Sequence, residues 1–121
     1  TNWINQIISN VTPKIVENLI FTISNEGYLF VIDKTKGDII RITDLYEKYK
    51  HKKRRNIIPI GFAIGKKNIY LTNSDGRLIV ASIDLGKINK LEKISGNSIS
   101  EPFIFNNNLY IVRNGSIVQY N

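Results

Sequence analysis

An all-β chain of four-stranded antiparallel blades is the fold class this sequence predicts, and three observations carry it. One phrase, a polar turn ending in Gly followed by an extended apolar run, is written three times, at residues 25–33, 74–82 and 113–121. Each copy is preceded by a proline (Pro13, Pro59 or Pro102) and a second apolar run. The dominant hydrophobic period is two, filled by β-branched Ile and Val, which suit a pleated surface and lose side-chain freedom in helices. The repeat glycines Gly27, Gly76 and Gly115 lie ~49 and then ~39 residues apart, inside the range of stacked structural repeats.

The elements follow in order. Residues 1–12 read as a strand or linker from a preceding blade, with alternation over 3–8 that includes Trp3. Residues 13–43 make the first blade, with a short strand after Pro13, then 19–23, 28–33 and 38–43. In 28–33 both faces are largely apolar, as a strand covered on two sides requires. Residues 44–58 break the pattern. Asp44 is placed to cap a helix over 44–49, Glu47 stands three residues on, and Leu45 and Tyr49 share a face. A basic insertion and the strand residues Ile57 and Ile58 follow. Residues 59–95 form the second blade, with strands at 60–64, 68–72, 77–83 and 87–94. Residues 96–121 supply a partial third, with strands at 103–105, 109–112 and 116–120 and no fourth.

Turn chemistry divides these runs where hairpins need it. Glu17-Asn18, Lys67-Asn68 and Asn107-Asn108 separate the first and second strands of the units, and Asn tolerates the left-handed backbone of a tight hairpin. Gly27, Gly76 and Gly115 supply positive φ before the third strand. Gly37 and Gly86 sit between the third strand and the fourth.

Composition narrows the function classes. Among 121 residues, 42% are hydrophobic and 10% aromatic, ample for a core rather than a disordered chain. No apolar stretch approaches the ~18 residues of a membrane span, and the start lacks a basic, apolar leader pattern. With no Met, Thr1 is not expected to be a translation start, and the chain reads as a piece of a longer protein. The lack of Cys removes disulfides, thiolate nucleophiles and thiolate metal sites.

The net charge of +7 is concentrated. Between Asp44 and Arg55 six cations (Lys48, Lys50, Lys52, Lys53, Arg54 and Arg55) face only Asp44 and Glu47. This run is the candidate partner-binding patch. The run reads first as a solvated insertion between blades. As a binding surface it could meet nucleic acid, anionic lipid headgroups or an acidic protein, and since interleaved aromatics that would stack on bases are lacking, an acidic protein partner is the best of these. His51, among lysines, reads as a solvated loop residue, since flanking cations disfavour both its protonation and a metal. The ten carboxylates are scattered singly over turns and strand ends. Asp33 alone lies in an apolar run, where its expected role is to accept hydrogen bonds from the turn at 34–37. No catalytic, cofactor-binding or metal-ligating set is assigned.

At these residues the chain resembles the PQQ-like β-propeller repeat, the blade of quinoprotein dehydrogenases and of the outer-membrane β-barrel assembly lipoprotein. The first unit matches through Pro13, Gly27, Leu29, Asp33 and Gly37. The second keeps Pro59, Gly76, Leu78 and Gly86 but has Ser82 where Asp is expected, and the third keeps Pro102, Gly115 and Ile117. Arg41 and Lys90 stand where the repeat carries its blade-closing Trp.

The resemblance implies a propeller segment of about two complete blades plus partial ones, too few to close a ring. Self-association through exposed end blades is therefore expected. It also implies a non-enzymatic scaffold for protein–protein interaction, in the style of the C-terminal blades of the assembly lipoprotein, at the periplasmic face of the outer membrane. No cofactor is expected in this segment. The alternative it implies is the C-terminal part of a PQQ-dependent dehydrogenase whose active site lies upstream.

Overall fold

The computed structural model describes residues 11–94, 99–113 and 115–120. The expected strand at 3–8, with Trp3, and Asn114 of the third turn lie outside them. The chain divides into two compact units, Thr1–Asn56 and Ile57–Asn121.

The first unit holds one four-stranded antiparallel sheet in the order β1-β2-β3-β4, made of β1 (Lys14–Val16), β2 (Leu19–Ile23), β3 (Tyr28–Asp33) and β4 (Ile39–Asp44). The second holds a like sheet, β5 (Pro59–Ile64), β6 (Asn68–Asn73), β7 (Arg77–Ser82) and β8 (Ile88–Lys93), in sequence order. It also holds a three-stranded sheet of β9 (Phe103–Phe105), β10 (Asn108–Arg113) and β11 (Ser116–Gln119), in which β10 lies in the middle. A single turn of helix, α1 (His51–Arg54), completes the first unit. The all-β class and the meander order expected from the sequence are both present.

The two complete blades repeat one hydrogen-bonding plan. Gly27 N–H donates to Ser24 O and Gly76 N–H to Asn73 O, each at 3.0 Å. After the third strand, Gly37 N–H reaches Asp33 O at 2.8 Å and Gly86 N–H reaches Ser82 O at 3.0 Å. A register shift falls between Val31 and Ile32 in one blade and between Val80 and Ala81 in the other. A bulge at the same place increases the local twist of both sheets in the same way. Arg41 and Lys90 pair with Val31 and Val80 beside these shifts. The repeat thus survives in backbone geometry where the side chains differ.

Positive φ falls only partly where the Asn-rich turns predicted it. Asn106 and Asn107 take φ of 50° and 64°, as a two-residue turn with both centres left-handed requires. In the first hairpin it is Glu17, at 54°, that takes this conformation. Asn18 instead donates to Asp33 Oδ1 (3.4 Å) and accepts from the Thr35 hydroxyl (2.9 Å).

In the second unit the two sheets bury a common core of Ala63, Leu78, Val80, Ile99, Leu109 and Ile111, flanked by Tyr70, Ile94 and Tyr120. The alternating apolar positions of β7 and β10 face this core, which is the period-two pattern acting as expected. Two polar side chains are also fully buried. The Thr72 hydroxyl donates to Gly61 O (3.2 Å), and the Asn73 amide donates to Leu71 O (3.4 Å) and Arg77 O (3.1 Å). Buried polar groups need such partners, and no buried side-chain N or O lacks one among the described residues.

The segment after β4 departs from expectation. Residues 45–48 form turns, and the helical turn falls later, at His51–Arg54. The Asp44 carboxylate accepts the Tyr46 N–H at 3.1 Å, a local bond that competes with helix formation. Leu45 N–H donates to Gly27 O (2.9 Å), and Tyr49 N–H reaches Tyr46 O (3.0 Å) rather than a carbonyl four residues back. Leu45, Tyr46 and Tyr49 are all buried, so the turn is an anchor for the first unit's sheet.

Candidate functional site

The basic run is the most strongly charged surface of the first unit, and its geometry begins at the end of β4. Asp44 and Arg54 form a two-pronged pair, Nη1 to Oδ2 at 2.8 Å and Nη2 to Oδ1 at 2.5 Å. The planar fork of a guanidinium matches a carboxylate in this way. The Arg54 carbon Cζ also lies 5.3 Å from the centre of the Tyr28 ring, a cation–π distance. Its hydrogen bonds to the Asp44 carboxylate hold the Arg54 guanidinium above its ordinary pKa.

Below the clamp, Tyr46 and Tyr49 meet edge to face with centroids 5.3 Å apart. Gly27 sits against the Tyr46 ring so closely that any Cβ there would enter it. The repeat glycine thus serves two purposes, a left-handed turn at φ 92° and room for an aromatic anchor.

The six predicted patch residues separate on this basis. Lys48, Lys50, Lys52, Lys53 and Arg55 are exposed, whereas Arg54 is half-buried in the clamp. Arg54 therefore shapes the loop, and the other five present charge. His51 is exposed at the start of the helical turn. What sequence reasoning missed is the Asp44–Arg54 pairing, ten residues apart and invisible to helical spacing.

The repeat glycines occupy turns, and Asp33 ends β3. Gly37, Gly76, Gly86 and Gly115 have positive φ like Gly27. Asp33 Oδ1 accepts the Thr35 and Lys36 N–H groups at 2.8 and 3.0 Å. The Lys36 N–H, chiefly, lowers the Asp33 carboxyl below its ordinary range. At the equivalent place the Ser82 hydroxyl accepts only the Leu85 N–H, at 3.2 Å. A hydroxyl here holds with fewer bonds the turn that the Asp33 carboxylate holds in the first blade. Lys90 places Nζ 5.6 Å from the Tyr120 ring centre, and the Tyr120 hydroxyl bonds to Glu92.

Among the described residues no three His, Cys, Asp or Glu side chains converge on one point. No helix among them is long and apolar enough to cross a membrane.

No protein-family model matches the chain, and no curated protein matches it. Solved structures do. A computationally designed protein, Ika8, aligns over 89% of this chain and 31% of its own, with TM-score 0.67 and 13% identity. The WD40 β-propeller domain of Doa1 aligns over 89% of this chain and 34% of its own, with TM-score 0.69 and 15% identity. A quinohemoprotein alcohol dehydrogenase from Comamonas testosteroni aligns over 84% of this chain and 16% of its own, with TM-score 0.63 and 20% identity. The chain thus spans about a third or less of each of these three structures. At such identities the shared property is the fold, and its open three- and four-stranded antiparallel sheets are those of a partial β-propeller.

Proposed function

We propose that the chain is part of a non-enzymatic, PQQ-like propeller scaffold for protein–protein interaction, whose basic loop meets an acidic partner surface. The observation that carries this reading is the Asp44–Arg54 clamp. It fixes the root of a loop on which Lys48, Lys50, Lys52, Lys53 and Arg55 are exposed. A fixed array of like charges steers and orients an oppositely charged partner, with a reach of about 8 Å at physiological salt. By its resemblance to the assembly lipoprotein, the proposed setting is the periplasmic face of the outer membrane.

The test is capture of partners from envelope extracts by the full-length protein and by a K52E/K53E/R55E variant that leaves Arg54 in place. Acidic proteins retained at low salt, released as salt rises and lost from the variant are the expected result. An unchanged set of retained proteins, or none, would overturn the reading. Self-association through the end sheets belongs to the same proposal, prompted by Phe105 and Ile117, which are 62% and 67% exposed. A monomer in sedimentation at about 100 μM, where contacts of that strength are populated, removes it.

A second reading is favoured by the Asp33–Gly37 turn and the likeness to a quinohemoprotein alcohol dehydrogenase. In it, this segment supports an oxidoreductase active site elsewhere in the longer protein. Dye reduction by the full-length protein with added PQQ and Ca²⁺ is the outcome that would replace the scaffold with the enzyme.

A further inference from the structure

A second site lies in the other unit, independent of the basic loop. Two hairpin ends, residues 65–67 between β5 and β6 and Asn107 in the turn between β9 and β10, border a cleft of about 380 Å³. This is within the roughly 300–1,000 Å³ of small-molecule sites. Its apolar walls are Tyr70, Ile104 and Leu109, of which Leu109 belongs to the buried core. Lys66 and Lys67 line it as well and are exposed. Neither pairs with a carboxylate among the described residues. The Asn68 and Asn107 amides add neutral hydrogen-bonding groups.

The shape of the cleft depends on one small residue. A Cβ on Gly65 would stand 3.1 Å from Tyr70 Cε2 and 3.7 Å from its hydroxyl. The edge of the Tyr70 ring therefore lies close to Gly65, and a side chain there would make the ring give by a few tenths of an ångström.

We propose that this cleft binds a small aromatic monocarboxylate. The flat hydrocarbon body lies against Tyr70, Ile104 and Leu109, and the carboxylate meets the ammonium groups of Lys66 and Lys67. The choice follows from charge and polarity. Two adjacent cations with no described acid between them favour a negative charge, and an apolar wall behind them favours a planar apolar body over a sugar or a free phosphate.

The experiment uses the full chain with 2-naphthoate as probe, followed by amide chemical shifts. The expected result is saturable shifts at residues 65–70 and 107–109, with a dissociation constant on the order of 1 mM for a ligand of this size. Replacement of each lysine by Gln weakens binding about two- to fivefold, the effect of one exposed ion pair. Gly65→Ala, which leaves the charge unchanged, weakens it by narrowing the cleft. The neutral analogue 2-naphthamide binds more weakly than the acid. The proposal is overturned by an absence of saturable shifts up to about 10 mM, by equal binding of the amide, or by shifts centred on the exposed Phe103, Phe105 and Ile117 instead. The comparison of acid with amide uses the unaltered protein, so it decides the matter even if a variant fails to fold.

Discussion

Replacing Gly27 by Ala is the sharpest test of how the repeat glycines work, because Gly115 supplies an internal control. Both have positive φ, 92° and 76°. An L-residue in the left-handed region costs about 1–2 kcal/mol. At Gly115 a new Cβ meets no atom within 4 Å, so this backbone cost is the whole effect. At Gly27 the Cβ is driven into the buried Tyr46 ring. The Tyr46 ring is buried and meets Tyr49 edge to face, and its backbone N–H is held by the Asp44 carboxylate, so it cannot swing away cheaply. Overpacking of this kind adds about 1–3 kcal/mol.

The totals are about 1–2 kcal/mol for Gly115→Ala and about 2–5 kcal/mol for Gly27→Ala. In a domain of this size these correspond to Tm losses of roughly 3–8 °C and 8–20 °C. Thermal unfolding followed by circular dichroism reads both. Amide hydrogen exchange assigns each loss to its own unit, β2–β3 for Gly27 and β10–β11 for Gly115. If Gly27→Ala is no more destabilising than Gly115→Ala, the claim that this glycine makes room for Tyr46 is wrong.

Three further outcomes are expected. Leu78→Ala, at a fully buried position of the second unit's core, should cost about 2–5 kcal/mol in urea unfolding; a loss under about 1 kcal/mol would mean the two sheets do not share a core. Arg54→Met should cost about 0.5–1.5 kcal/mol, a modest value because the paired side chains are 22% and 30% exposed. It should also raise amide exchange over residues 45–54, and unchanged protection there would deny the clamp its role. The folded-state pKa of Asp33 is lowered, so its stabilisation is fully present above the unfolded value of about 3.9 and is lost as pH falls through the folded value. Asp33→Asn should therefore flatten the acid limb of Tm against pH below about 4, and an unchanged limb refutes this.

Much of the fold was legible because it rests on short-range preferences. The strands of both complete blades fall within a residue or two of their expected places, since alternating β-branched residues between Gly turns leave the backbone few options. The failure at 44–49 is instructive. Capping residues and helical spacing both favoured a helix there, yet the Asp44 carboxylate was drawn into a local turn and a bond to Arg54. Asn73 falls just beyond the expected strand at 68–72, yet it closes β6 and its buried amide ties the second blade's turn to β6 and β7.

The sequence by itself determined the all-β class, the meander order, the glycine turns and the concentration of positive charge. Each of these is written in neighbouring residues, through allowed dihedrals and a two-residue period. Only the tertiary structure decided which of the six cations anchors the loop and which are presented. It alone showed why Gly27 must stay small and where an apolar cleft lies beside Lys66 and Lys67. Those properties arise between residues that chain folding brings together: Asp44 with Arg54, Gly27 with Tyr46, and the tip of β5–β6 with the tip of β9–β10. Local propensity does not encode such meetings, because their energies exist only once the sheets have formed.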